Sequence, residues 1–255
     1  MHDDRRRAES FGADPERYDR SRPSYPAALL DEILGPHPEA LDVLDVGCGT
    51  GIAARLMAAR GARVLGVEVD ARMAELARRR GTTVEVARIE DWDPAGRTFD
   101  RVTAAQAWHW VDPEVGAAQA ARLLRPGGRL CLFWNRGEPP EPTRSRLDEV
   151  YARLAPGAES YSVLLGYASV DGYEAVQEAI RRHPDLSGPE ATTFAWSRRY
   201  TRAEWLDQLP THSDHATMEP ERLAGLLDAV GGVIDGEGGS FEMGYSTLLL
   251  TSTRS

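Results

Sequence analysis

Short apolar runs alternate with helical stretches along the first half of the chain, the pattern of a doubly wound α/β sheet. Strands are predicted at Asp42–Val46, Arg63–Glu68, Thr83–Ala87, Arg101–Ala105 and Arg129–Trp134. Helices are predicted between them near Gly51–Ala59, Ala71–Arg80 and Pro113–Leu124, the second with Asp70 as N-cap and Gly81 as its stop. Arg125-Pro126-Gly127-Gly128 reads as a turn leading into the fifth strand. After a Pro/Glu-rich break at Gly137–Pro142 the pattern changes to helices around Leu147–Leu154 and Tyr173–Arg182. The chain then returns to a strand at Thr192–Tyr200, helices at Arg202–Gln208 and Pro220–Ile234, and a closing strand at Phe241–Thr251. This division predicts a Rossmann-like core from residues 1–135 and 191–255, with an inserted helical cap for substrate at 136–190.

The first strand runs into Asp45-Val46-Gly47-Cys48-Gly49-Thr50-Gly51, and Glu68 closes the next strand. A buried strand entering a Gly-x-Gly-x-Gly turn brings bare backbone against a ligand, and a carboxylate at the tip of the following strand suits ribose hydroxyls. An adenosine-containing cofactor is therefore expected. Dinucleotide sites place a third glycine where this chain has Ile52, and Asp45 puts a negative charge where a pyrophosphate would lie. A nicotinamide-dependent oxidoreductase is accordingly the weaker alternative.

On these motifs the segment from Tyr18 to Arg136 resembles the class I S-adenosylmethionine-dependent methyltransferases, in particular the type-11 methyltransferase domain. The resemblance implies a seven-stranded sheet in the order 3-2-1-4-5-7-6 and S-adenosyl-L-methionine as cofactor. It implies a small-molecule methyl acceptor: a carboxylate, hydroxyl, amine or activated carbon. A protein that binds the cofactor without transferring the methyl group is the other reading the sequence leaves open.

Carried over by the resemblance, Asp45, Gly47, Cys48 and Gly49 meet the methionyl and ribose parts, Glu68 meets the ribose, and Val69 is a further cofactor-binding candidate. Met73, Ile89 and Glu90 are candidates for adenine; the family's acid at position 88 is here Arg88, so stacking by Arg88 or Trp92 is an alternative. Tyr18 and Arg22 are expected to close over the cofactor, with Arg20 a competing arginine and Tyr25 an anchor on the sheet. After the fourth strand, Gln106-Ala107-Trp108-His109-Trp110 looks like the segment of trans-aconitate methyltransferase-like and biotin-pathway methyltransferase-like proteins. Gln106 is placed to bond the methionyl end. His109 is the catalytic candidate, as a general base or a holder of an acceptor oxygen, the alternative being a packing residue between tryptophans. Trp108, Trp110 and Trp134 and the cap tyrosines Tyr151, Tyr161, Tyr167 and Tyr173 suit an organic acceptor. No Asn/Asp-Pro-Pro-aromatic motif follows the fourth strand, and no acidic set like that of magnesium-dependent catechol enzymes is evident.

Composition adds limits. The 255 residues hold 30 basic and 40 acidic side chains, a net charge of −10, which argues against a nucleic-acid or anionic-membrane surface. All the basic residues are arginine, as a high-GC bacterial genome would produce. Two cysteines, Cys48 and Cys131, suggest neither a disulfide framework nor a zinc site, and a charged Met1–Ser10 segment does not read as a signal peptide. A cytoplasmic protein is expected, with Arg5-Arg6-Arg7 a solvated tail. Thr211-His212-Ser213-Asp214-His215 holds two histidines and a carboxylate, yet reads as a polar loop lining the cleft; no metal is expected.

Overall fold

A computed structural model describes residues 11–156 and 170–255; the candidates Tyr161 and Tyr167 and the tail Arg5–Arg7 lie outside them. Seven strands, β1 (Asp42–Val46), β2 (Arg63–Glu68), β3 (Thr83–Val86), β4 (Phe99–Ala105), β5 (Leu124–Glu138), β6 (Glu190–Thr201) and β7 (Ser240–Thr253), form one sheet. Its order is β3-β2-β1-β4-β5-β7-β6, as the resemblance implied. The first five strands are parallel, and β7 runs antiparallel between β5 and β6.

Alternate residues of these strands feed two apolar layers, because strand side chains point to opposite faces. Leu44, Val46, Val102, Leu130, Leu132 and Trp134 pack on one face with helices α5 (Pro113–Leu123) and α7 (Val170–Arg182). Val43, Cys131, Phe133 and Leu249 pack on the other with α2 (Ala27–Leu34) and α3 (Ile52–Ala58). Over β6 and β7 that second face is covered by α6 (Thr143–Leu154), α8 (Arg202–Gln208) and α9 (Pro220–Gly236), around Tyr200, Trp205, Phe241 and Met243.

β1 and β2 start and end where the apolar pattern places them, whereas β5 starts five residues early. The Arg125–Gly128 turn does form, with φ +76° at Gly127, but it is absorbed into the ladder: Gly127 N–H donates to Arg254 O and Arg254 N–H to Gly128 O. β5 also runs through position 136 to Glu138, so the expected start of the cap falls inside a strand. The two helices expected there pack flat on the sheet's opposite faces. Leu147, Val150 and Tyr151 of α6 join Leu226, Val230 and Ile234, while Val176, Ala179 and Ile180 of α7 join Trp108 and Ala117.

Candidate functional site

The carboxyl ends of β1, β2 and β4 converge on the glycine turn. Gly47 has φ +63°, and a β-carbon there would stand 2.5 Å from the Ala107 methyl beyond β4, so conformation and space both require glycine. The turn is held by N–H bonds from Gly47 and Cys48 to Val67 O at 2.8 and 3.2 Å. The Cys48 side chain leaves the crevice, packing over Gly66 in a cluster with Ala74, Ala77 and Val84; burial pushes its thiol well up. Only the backbone of Cys48 is left to meet a ligand.

Asp45 is wholly buried. Its Oδ1 accepts from Thr103 Oγ1 at 2.9 Å, while Oδ2 has no hydrogen-bond partner among the described residues. Burial pushes the carboxyl up to about 7, opposed by the Thr103 bond and helped by the Glu68 charge. Glu68 is engaged otherwise than its ribose role implied: Oε2 accepts from Gly49 N–H and Oε1 from Asp70 N–H, both at 2.8 Å. It therefore ties the glycine turn to the N-cap of α4 (Ala71–Arg79), and each oxygen keeps a second lone pair for a ligand hydroxyl. Burial raises its carboxyl, and the backbone bonds oppose the shift.

Val69 is 44% exposed beside Glu68, and Met73 is buried with Cε 3.6 Å from where a Gly49 β-carbon would sit. Ile89 is buried; Glu90 pairs with Arg88 at 3.2 Å and accepts at its carbonyl from Gln119 Nε2 at 2.7 Å. Trp92 is in the core, its Nε1 donating to Glu85 at 2.7 Å with Arg97 over the ring, so stacking by Trp92 on an adenine is ruled out.

Helix α1 (Pro15–Ser21) is tied to the rest of the fold by ion pairs: Glu16 with Arg79 and Arg80, Asp19 with Arg55, and Arg17 and Arg20 with Asp207 of α8. Arg20 is thereby committed to α8. Arg22 instead turns inward under Tyr18, its guanidinium 4.7 Å from that ring and donating to Thr211 O at 2.7 Å. Tyr25 packs edge-on against Phe133; burial raises its hydroxyl, with Tyr18 and Asp45 adding to the shift and Arg22 opposing it. The sheet anchor thus lies within the field of Asp45.

Gln106 follows β4 in the left-handed region at φ +57°, a strained setting for a side chain and frequent at working sites. Its backbone N–H bonds Phe133 O at 2.9 Å and its Nε2 bonds Asn135 O at 3.2 Å. Asn135 escapes a sequence reading, although a polar residue closing an apolar strand is its signal. His109 sits in a 3₁₀ turn, Trp108–Trp110, and Trp134 Nε1–H donates to its Nδ1 at 3.3 Å. An indole nitrogen only donates, so Nδ1 presents its lone pair and the proton rides on Nε2. Burial lowers the imidazole to about 4, which leaves His109 a neutral donor at Nε2 instead of a ready base. His212 and His215 face Gln208 and Tyr151, and no group of three or more His, Cys, Asp or Glu among the described residues is placed to hold a metal ion. No described helix is long and apolar enough to cross a membrane.

Residues 44–132 match the family described as "Methyltransferase domain". The chain is 40% identical over 128 residues to an uncharacterized methyltransferase of Mycobacterium tuberculosis, covering 49% of this chain and 52% of that one. It is 35% identical over 150 residues to trans-aconitate 2-methyltransferase of Variovorax paradoxus, with 56% of each covered. The chain thus spans about half the length of the curated relatives it matches. Among solved structures, one assigned as a type II methyltransferase from Anaeromyxobacter dehalogenans superposes with a TM-score of 0.61 at 23% identity, covering 90% of this chain and 97% of the other. Phosphoethanolamine N-methyltransferase 2 of Haemonchus contortus, solved with S-adenosyl-L-methionine, gives 0.54 at 17%, covering 95% and 57%. Residues 44–132 therefore match the methyltransferase domain family, within a chain whose sheet order and superposition are those of solved methyltransferase structures.

Proposed function

We propose that this chain binds S-adenosyl-L-methionine over the glycine turn and transfers its methyl group to a small organic acceptor. The observation that carries the reading is Asp45: a fully buried carboxylate with one oxygen lacking a donor among the described residues, beside a glycine cradle that a β-carbon would fill. A buried acceptor of this kind calls for a cationic donor, and the amino-acid ammonium of the cofactor is one. The crevice fits the rest of the molecule: Glu68 offers lone pairs to ribose hydroxyls, and Val69, Met73 and Ile89 offer apolar surface for adenine.

When bound, the cofactor supplies a methyl carbon already made electrophilic by its sulfonium, with a neutral leaving group. The protein's share is alignment, for which roughly 7–11 kcal/mol is available from orientation alone. The carboxyl ends of β4 and β5 supply Gln106, braced on Asn135, and His109, braced on Trp134. With its proton on Nε2, His109 donates to an acceptor oxygen and orients it. An acceptor with no proton to lose, an ionised carboxylate, asks nothing more of the site. The related trans-aconitate 2-methyltransferase of Variovorax paradoxus makes small carboxylates the first class to screen.

Calorimetry with S-adenosylmethionine and S-adenosylhomocysteine, NADH as control and Gly47→Arg as the blocked variant, tests the reading. Micromolar binding lost in the variant supports it; binding of NADH alone, or of none of the three, overturns it.

A further inference from the structure

The carboxyl end of β5 holds two segments of the crevice at once. Ser24 and Tyr25 follow α1; the Tyr25 ring packs edge-on against Phe133 with centres 4.9 Å apart, and Asn135 Nδ2 donates to Ser24 O at 3.0 Å. Gln106 meets the same two residues from the end of β4, its N–H donating to Phe133 O at 2.9 Å and its Nε2 to Asn135 O at 3.2 Å. A left-handed φ at a residue with a side chain persists where surrounding bonds over-determine it, and at Gln106 β5 supplies two such bonds.

The direction of the Asn135 amide is set from across the sheet. Antiparallel register puts Thr247 of β7 opposite Asn135, and Trp196 of β6 lies diagonal to Thr247. Trp196 Nε1–H donates to Thr247 Oγ1 at 2.8 Å, and Thr247 Oγ1–H donates to Asn135 Oδ1 at 2.6 Å. An indole nitrogen only donates, so the Thr247 proton is directed onward to Asn135; Oδ1 is then the accepting end, and Nδ2 is left for Ser24. Asn135 is 2% exposed and Thr247 0%, and every side-chain polar atom of the two has a partner. Stability alone does not call for these residue types. Leu130, Cys131, Leu132, Phe133 and Trp134 fill the buried positions of β5 before Asn135, and valine would suit a buried strand position as well as Thr247 does. A buried amide and hydroxyl are tolerated only when satisfied, and what a satisfied network adds is a single arrangement of the elements it joins.

We propose that Asn135 is a positioning residue of the transfer site, aimed by Thr247 and Trp196. It fixes the segment bearing Arg22 and Tyr25 on the strand end that also holds Gln106, and so sets that segment against the turn that carries His109. This rests on the methyltransferase reading, which makes the crevice a cofactor site.

Asn135→Leu and Thr247→Val remove the amide and the hydroxyl with little change of volume, and Thr247→Ser restores the hydroxyl. Hydrogen–deuterium exchange of the full chain, read by mass spectrometry without ligand, is expected to quicken over residues 15–26 by roughly two- to tenfold in Asn135→Leu and Thr247→Val, the scale of one neutral hydrogen bond. Exchange in β1 and β2 is expected to stay at the wild-type rate. S-adenosylhomocysteine affinity by calorimetry, measured well below each variant's Tm, is expected to fall by a similar factor and to return in Thr247→Ser. A residue that serves stability alone lowers Tm and leaves both readings where they were. That result overturns the proposal, as does an affinity that Thr247→Ser fails to restore. Thr247→Val carries the test where Asn135→Leu does not fold. A wild-type chain that binds no S-adenosylhomocysteine removes the methyltransferase reading, and exchange over residues 15–26 still decides whether Asn135 holds that segment.

Discussion

Asp45→Asn should stabilise the ligand-free protein at neutral pH while impairing cofactor binding. The Asp45 carboxyl, ordinarily near 3.8, is pushed up to about 7 by complete burial, so the folded chain holds its proton where the unfolded chain releases it. A raised folded value means that stability is fully present below the unfolded pKa and is lost as pH rises toward 7. At 1.36 kcal/mol per unit, the shift amounts to roughly 4 kcal/mol once both states are ionised. Asparagine reproduces the neutral form and does not titrate. The stability difference between Asp45→Asn and wild type should therefore widen by roughly 2 kcal/mol between pH 5 and pH 7, a relative Tm change of roughly 4–8 °C for a chain of this size. Thermal unfolding of both proteins without cofactor, in matched buffers across that range, gives the difference directly and cancels every other titrating group. A difference that stays level from pH 5 to pH 8 would refute the reasoning, since it would mean that Asp45 is solvated or partnered in the free protein. The same charge predicts that cofactor affinity in the wild type rises with pH up to about 7, as binding to the ammonium requires the ionised carboxylate.

With His109 lowered to about 4 and donating through Nε2, kcat at saturating cofactor should stay flat from pH 5.5 to 8, and His109→Gln should cost less than roughly tenfold; a steep limb near the ordinary histidine range would restore the base. Trp134→Phe, which frees Nδ1, should lower kcat more than it raises KM for the acceptor, measured by steady-state kinetics. Glu68→Gln replaces one acceptor oxygen by a donor facing a backbone N–H, and cofactor affinity by calorimetry should fall at least roughly tenfold. Gly47→Ala should destabilise by roughly 2–4 kcal/mol through the positive φ and the overlap with Ala107; adding Ala107→Gly should recover only the overlap, seen by denaturant unfolding as partial rescue.

Local chemistry made much of this protein legible. Strand boundaries at β1 and β2, the Asp70 N-cap and the glycine turn depend on residues within a few positions of one another, so a linear reading recovers them. Asp45 and Glu68 were found by spacing for the same reason. Their actual partners were not: Thr103 comes from β4, and the bond from Gly49 to Glu68 exists only because parallel pairing sets β1 beside β2. Nor does spacing show that Cys48 packs inward over Gly66, that Trp92 spends its indole on Glu85, or that Arg20 and Arg22, two residues apart, point to different work. The tautomer of His109 depends on Trp134, and the bonds that join Asn135, Thr247 and Trp196 depend on strands β5, β7 and β6, which the chain brings together only after long excursions. Periodicity and turn chemistry are properties of neighbours in sequence, so the sequence by itself determined most elements and the glycine turn. Hydrogen-bond partners, burial and converging charge are properties of neighbours in space, and the packed sheet alone decided them.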